Sequence, residues 1–209
     1  MGSQSCSNWQ IRTMHNYPLH LKFTWSFARQ IFLTDNSEQL LFCIRQKMFK
    51  FKEDIGVFAD KEREQLKYQI KADRIIDFSA RYNFTDSDGN DIGAVKRRGM
   101  RSIWKARYDV FDGDEIVFTI TEKNPWVKIG DALFAEIPIV GIFTGFVFNP
   151  TYQVHRSSDE GRTIATLEKK PSWFSRMFTI KMLDKLDDTE EERVLLSMVM
   201  MLLLEQARG

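Results

Sequence analysis

The sequence predicts a mainly β protein, a closed antiparallel β-barrel that encloses a hydrophobic C-terminal α-helix. Three observations point there. Several segments alternate strictly between apolar and polar residues. Turn-forming residues separate those segments at short intervals. The last long segment is apolar on every side and too short to cross a bilayer.

The alternation begins with Leu21-Lys22-Phe23-Thr24-Trp25-Ser26-Phe27. It recurs in Leu66-Lys67-Tyr68-Gln69-Ile70-Lys71, from Ile76 through Phe84, and in Trp104-Lys105-Ala106-Arg107-Tyr108-Asp109-Val110. A period of two residues places one face of a strand on a core and the other in water. The aromatic and β-branched content of these runs suits a pleated, half-buried surface.

Turn chemistry lies between them. Asp35-Asn36-Ser37 separates Ile31–Leu33 from Leu40–Phe42, and Asp86-Ser87-Asp88-Gly89-Asn90-Asp91 separates Phe84 from Ile92. Asp112-Gly113-Asp114 and Ser157-Ser158-Asp159-Glu160-Gly161 do the same further on. Asp-Gly between alternating runs is a strong hairpin signal, because glycine accepts positive φ without a steric penalty. Many short strands joined by hairpins imply an antiparallel sandwich or barrel.

Two stretches depart from the pattern. From Asn124-Pro125-Trp126 the chain runs into the apolar segment Leu133–Phe148, which contains Glu136, Pro138, Gly141 and Gly145. Proline and glycine oppose a regular helix there, so a short helix is expected over 127–134 and irregular or strand structure beyond it. The segment is too short and too interrupted for an ordinary membrane span. It is expected to pack against the barrel as core or plug, with surface contact to a bilayer or partner as the alternative.

The second is the C-terminus. Thr189-Glu190-Glu191-Glu192 reads as a capping box, with Thr189 capping the Glu192 amide, and its acids suit the helix dipole. Val194–Leu204 follows, apolar except for Ser197. A helix apolar on all sides is surrounded by protein or by lipid. This run is about 16 Å long at about 1.5 Å per residue, against a bilayer core of about 30 Å. Protein therefore encloses it, and a sheet wrapped around it is the enclosure that meets every face. Each buried Leu, Met or Val side chain contributes roughly 1.5–3 kcal/mol, and the methionines adapt to an irregular interior. An unpaired charge there, as in Leu196→Asp or Met200→Lys, is expected to prevent folding.

An all-β chain closing on an apolar helix, with Asn124-Pro125-Trp126 ahead of a Gly- and Pro-bearing apolar segment, resembles the LURP-one-related group of the Tubby C-terminal-like superfamily. Phospholipid scramblases belong to the same superfamily. The resemblance spans Tyr17 to Arg208 and rests on the order of elements, with no catalytic motif. It implies a closed barrel of roughly twelve strands around a central helix, an architecture that removes exposed sheet edges. It also implies a link to membranes, since Tubby domains bind phosphoinositide headgroups and scramblases associate with bilayers. The phosphoinositide-binding cations of Tubby align with no particular positions here, and the cysteine-rich palmitoylation tract of scramblases is absent.

Residues 1–16 are expected to form a flexible tail and 17–209 the barrel domain. Met1–Ser7 lacks an apolar signal core, and Cys6 stands where a myristoylation pattern wants Ser or Thr. Two cysteines, Cys6 and Cys43, make no disulfide framework, so a reducing, cytoplasmic address is expected, peripheral to a membrane if lipid is bound. Thirty basic against twenty-nine acidic residues give a net charge of +1, so anion binding requires a local patch and nucleic acid is not an expected partner.

That patch is expected around Lys96-Arg97-Arg98-Gly99-Met100-Arg101 with Lys105 and Arg107, where clustered cations suit a phosphorylated headgroup. The plain alternative is a solvated hairpin tip whose charges discourage edge pairing. Trp126, Phe143, Phe146, Trp173 and Phe174 are candidate membrane or partner contacts, the last two beside Lys169 and Lys170. Lys47, Lys50 and Lys52 alternate with Phe49 and Phe51 and read first as a strand with one wet face.

Asp86–Asp91 fails as an EF-hand loop: its sixth position is Asp91 rather than Gly, and its twelfth is Arg97 rather than Glu. His15, His20 and His155 lack metal-ligand spacing, and no nucleophile elbow, P-loop or dinucleotide fingerprint is present. Cys43, inside the apolar run Leu40–Ile44, reads as a small core residue. No cofactor and no metal are expected. The reading is a monomeric, non-catalytic barrel that binds anionic lipid or phosphoinositide at the cytoplasmic membrane face. A protein-interaction scaffold is the alternative, with a scramblase-like protein or an enzyme behind it.

Overall fold

The computed structural model describes residues 15–25, 28–47, 54–74, 80–99, 107–123, 151–170 and 176–208. Twelve strands run through them: β1 (Leu19–Trp25), β2 (Ala28–Thr34), β3 (Leu40–Lys47), β4 (Asp54–Phe58), β5 (Leu66–Ala72), β6 (Arg81–Asp86), β7 (Asp91–Arg97), β8 (Arg107–Asp112), β9 (Glu115–Glu122), β10 (Thr151–Arg156), β11 (Asp159–Lys170) and β12 (Arg176–Met182). One helix, α1 (Asp188–Arg208), follows. Each strand pairs antiparallel with its neighbours in sequence, and β1 pairs with β12 to close the barrel, Leu19 opposite Ile180 and Phe23 opposite Arg176. Among the described residues closure leaves no strand with an unpartnered edge to template aggregation.

The predicted hairpins are present, and an aspartate holds two of them. The Asp35 carboxylate accepts the amides of Ser37 (2.8 Å) and Gln39 (2.9 Å) in the β2–β3 turn. The Asp86 carboxylate accepts the amides of Asp88 (2.9 Å) and Asn90 (2.8 Å) and the Asn90 side-chain amide (2.8 Å) in the β6–β7 turn. Those donors hold the Asp86 carboxyl below the usual carboxylate range, the Asn90 side chain contributing most. The β10–β11 turn is tighter than the sequence suggests, since β11 already begins at Asp159.

β9 and β10 lie side by side, Glu122 opposite Tyr152, and the Lys123 amide donates to the Thr151 carbonyl at 2.8 Å. Lys123 and Thr151, the described residues on either side of 124–150, are thus neighbours on the barrel. Residues 124–150, with the helix expected at 127–134 and the apolar segment 133–148, lie outside the described residues, as do 1–14 of the expected tail.

α1 occupies the barrel interior. Every residue from Val194 to Leu204 is at most 3% exposed, Ser197 included. Leu196, Met198, Val199 and Met200 face different directions at about 100° per residue, so their common burial requires a wall all round. That wall is the inward row of each strand, among them Leu21, Ile31, Ile44, Ile70, Phe84, Val110, Phe118, Val154, Leu167 and Ile180. A helix with its side chains is about 10–12 Å across. Eight strands enclose an interior that side chains alone fill, so twelve leave room for it.

The capping expectation is corrected by two residues. Asp187, not Thr189, is the cap: its Oδ1 accepts the Glu190 amide at 2.8 Å, and Glu190 Oε2 accepts the Asp187 amide at 3.3 Å. Thr189 already lies inside the helix. Two capping boxes overlap in Asp187–Glu192, and the barrel selects the first because Arg156 waits at its rim for Glu190, at 2.6 and 3.2 Å.

Candidate functional site

Polar side chains of the wall meet the helix at both of its ends. At its N-terminal end the Tyr17 hydroxyl donates to Glu191 at 2.9 Å, the Tyr68 hydroxyl donates to Glu192, and Lys67 stands 3.7 Å from the same carboxylate. Arg193 donates from Nε to the Ile92 carbonyl at 2.6 Å and pairs with Asp112 at 3.0 Å. At the other end the Tyr108 hydroxyl donates to Glu205 at 2.7 Å, with Arg97 Nε 3.7 Å from that oxygen. Burial, with the carboxylates beside them, pushes the ionisation of Tyr17, Tyr68 and Tyr108 far above the ordinary tyrosine range. These hydroxyls stay protonated as donors. They tie wall to helix and leave the interior no free reactive group among those named.

Chemistry directed at solvent therefore sits on the outer wall, where β6–β8 bring several cations together. Arg97 was expected to belong to this patch, but its side chain is only 5% exposed and points inward to Glu205. Lys96 and Arg98, one residue to either side, point outward, as alternation along β7 requires. Pairing sets Lys96 opposite Arg81 on β6 and opposite Asp109 on β8. Arg98 Nε lies 3.1 Å from Asp109, and Arg107 Nε lies 3.8 Å from it. The Arg98 amide donates to the Arg107 carbonyl at 2.8 Å, which holds the two cations level across the hairpin.

Arg81 is a member that sequence reasoning missed. Its guanidinium stacks 4.7 Å above the Phe111 ring, bonds Asp114 at 3.2 Å and donates to the Gly113 carbonyl. Its alternation marked it as wet, but only the β6–β7 register brings it to Lys96. Arg81, Lys96, Arg98 and Arg107 thus share one face with three carboxylates, Asp109, Asp114 and Asp73, the last accepting the Arg81 amide and paired with Arg74. Asp109 is buried and spaces the cations, leaving positive charge in excess at the surface. Such a face suits an anion with several oxygens, because guanidinium groups donate in pairs to phosphate.

Arg101, Lys105, Trp126, Phe143, Phe146, Trp173 and Phe174 lie outside the described residues, as do Lys50, Lys52, Phe49 and Phe51. Lys170 is exposed at the end of β11. Cys43 is buried, as expected, but on the outer wall: its Sγ donates to the Asp60 carbonyl at 2.9 Å beneath the β4–β5 connection. Burial, then the nearby Asp60 carboxylate, pushes its thiol ionisation up, which removes thiolate character. Among the described residues no group of three or more His, Cys, Asp or Glu side chains is arranged to hold a metal ion. Among them, too, no helix is long and apolar enough to cross a membrane, α1 included.

The LURP-one-related family model matches residues 40–136, from β3 past β9, in line with the resemblance read from the sequence. That match includes all of β6–β8 and its cations. An X-ray structure of a protein from Arabidopsis thaliana is similar at 15% identity, covering 93% of this chain and 94% of that one, with a TM-score of 0.48. No curated protein matches this chain.

Proposed function

We propose that this chain, whose residues 40–136 match the LURP-one-related family, is a non-catalytic barrel domain that binds anionic lipid, phosphoinositides included, at the cytoplasmic face of a membrane. The observation that carries this reading is the outward row of Arg81, Lys96, Arg98 and Arg107 on three adjacent strands. The helix fills the interior, so a ligand meets the outside of the wall. Each basic residue near an anionic leaflet contributes about 1 kcal/mol, and the attraction fades within about 8 Å at physiological salt. Four such residues support weak, salt-sensitive, peripheral attachment, with a phosphoinositide headgroup concentrating several phosphate oxygens at one place.

Vesicle sedimentation tests the proposal. The protein is expected to sediment with phosphatidylcholine vesicles containing phosphatidylserine or phosphatidylinositol bisphosphate, and not with phosphatidylcholine alone. High salt is expected to release it. The double variant Lys96→Glu, Arg98→Glu is expected to abolish binding while keeping the parent circular dichroism. Negligible binding to every vesicle, or binding unchanged in the folded double variant, removes the proposal.

A further inference from the structure

The outer wall of a barrel is convex, so a concavity on it must be built by chain folded over the strands. Two connections do this around β1, β2 and β12. The Asp60 carboxylate accepts the amides of Glu64 (3.1 Å) and Gln65 (2.7 Å), which curls the β4–β5 connection, and the Asp60 carbonyl takes the Cys43 thiol, which lays that connection against β3. The β2–β3 turn, fixed by Asp35, raises Glu38 beside it. Between them lies a cavity of about 550 Å³, open to solvent. This volume falls within the range of about 300–1,000 Å³ for sites that hold small molecules.

Its lining divides by chemistry. Phe32 on β2, Leu40 on β3 and Met177 on β12 supply half-buried apolar surface, while Lys22 on β1 and Lys61 from the β4–β5 connection supply exposed cations. Lys22 and Met177 are directly opposed across the seam that closes the barrel, and Lys22 and Phe32 across β1–β2. Among the described residues neither Lys22 nor Lys61 has an ion-pair partner, although Glu38 lines the same cavity. Two unpartnered cations beside an apolar bed match a ligand that carries both an anionic group and a hydrocarbon chain.

We infer that this groove binds one amphipathic anion, a single acyl chain lying on Phe32, Leu40 and Met177 with a carboxylate or phosphate held by Lys22 and Lys61. The site is separate from the β6–β8 face and does not depend on its role. The ligand chemistry is shared by free single-chain amphiphiles and by lipids in a bilayer, and the groove takes the free molecule, because its dimensions are those of a small-molecule pocket.

Calorimetric titration below micelle concentrations tests this with octyl phosphate, octanoate, 1-octanol and inorganic phosphate, alongside phosphatidic acid vesicles. Octyl phosphate and octanoate are expected to bind saturably, with 1-octanol and inorganic phosphate at least tenfold weaker. The folded double variant Lys22→Glu, Lys61→Glu is expected to lose at least tenfold in affinity for octyl phosphate. Lys71→Glu, exposed on β5, and the Lys96→Glu, Arg98→Glu variant are expected to keep it. Equal binding of 1-octanol, equal binding of inorganic phosphate, an unaffected groove variant, or binding to vesicles without binding of the monomeric amphiphiles would each overturn the inference. Failure of anionic vesicles to bind the β6–β8 face leaves these titrations unaffected, so the two ideas fail separately.

Discussion

Tyr108 on β8 and Glu205 in the last turn of α1 are joined across 2.7 Å, hydroxyl donating to carboxylate, so the barrel wall holds the far end of its own helix. Arg97 from β7 stands 3.7 Å from the same carboxylate and balances its charge away from bulk water. A hydrogen bond to a charged acceptor contributes about 1.5–3 kcal/mol net. Tyr108→Phe is expected to lower the free energy of unfolding in urea by that amount with an unchanged denaturant slope. A loss below about 0.5 kcal/mol would mean the contact is incidental.

At the opposite end, Gly93 has φ of +132°, and a Cβ there would meet the Phe111 carbonyl and lie 2.6 Å from Arg193 Nε. This close approach lets Arg193 reach the Ile92 carbonyl. Gly93→Ala is expected to cost about 3 kcal/mol or more, combining backbone strain with overpacking. Gly89, with φ of +87° but nothing within 4 Å of its Cβ position, bears the backbone strain alone, and Gly89→Ala is expected to cost about 1–2 kcal/mol. Thermal melts of the two variants give the comparison.

The helix cap gives a third contrast. Asp187→Ala removes the acceptor for the Glu190 amide and is expected to cost about 0.5–2 kcal/mol. Thr189→Ala, inside the first turn and exposed, is expected to stay within about 0.5 kcal/mol of the parent. The reverse order would restore Thr189 as the cap.

High pH should unfold the barrel. Burial, with nearby carboxylates, raises the ionisation of Tyr17, Tyr68, Tyr108 and Tyr152. An unfolded chain ionises tyrosine near pH 10, whereas the folded chain keeps these protons, so above that pH the unfolded state binds fewer protons. Their stabilisation is complete below about pH 10 and declines as pH rises, by up to about 1.4 kcal/mol per unit for each tyrosine. Tyrosinate absorbance from these residues is expected to appear together with loss of the β-sheet circular dichroism. Their titration near pH 10 in a still-folded protein would contradict the burial.

Much of this architecture was readable because its causes are local. Asp35 and Asp86 announce their hairpins, strand alternation announces a wet and a dry face, and the uniform apolarity of 194–204 announces an enclosure. Local sequence is ambiguous where two local solutions compete or where partners are distant. Asp187 and Thr189 both begin a capping box, and only Arg156, brought by β10, decides between them. Ile92-Gly93-Ala94-Val95 is buried on both sides, so alternation within it does not tell which of Lys96, Arg97 and Arg98 turns inward. Glu205 settles that from the far end of the chain. Arg81 joins the basic face, and Lys61 reaches the β1–β2 groove, only through register and folded connections that leave no trace in neighbouring residues.

The enclosure of α1 is the claim on which the rest stands, and methionine oxidation tests it face by face. Met198, Met200 and Met201 project in three directions and are all 0% exposed. Peroxide oxidation of the native protein, followed by peptide mass spectrometry, is expected to leave all three unmodified until the chain unfolds, since sulfoxide formation follows exposure. Oxidation of any one of them in the folded protein, at the rate of an exposed methionine, would show a helix face open to solvent and contradict the closed barrel.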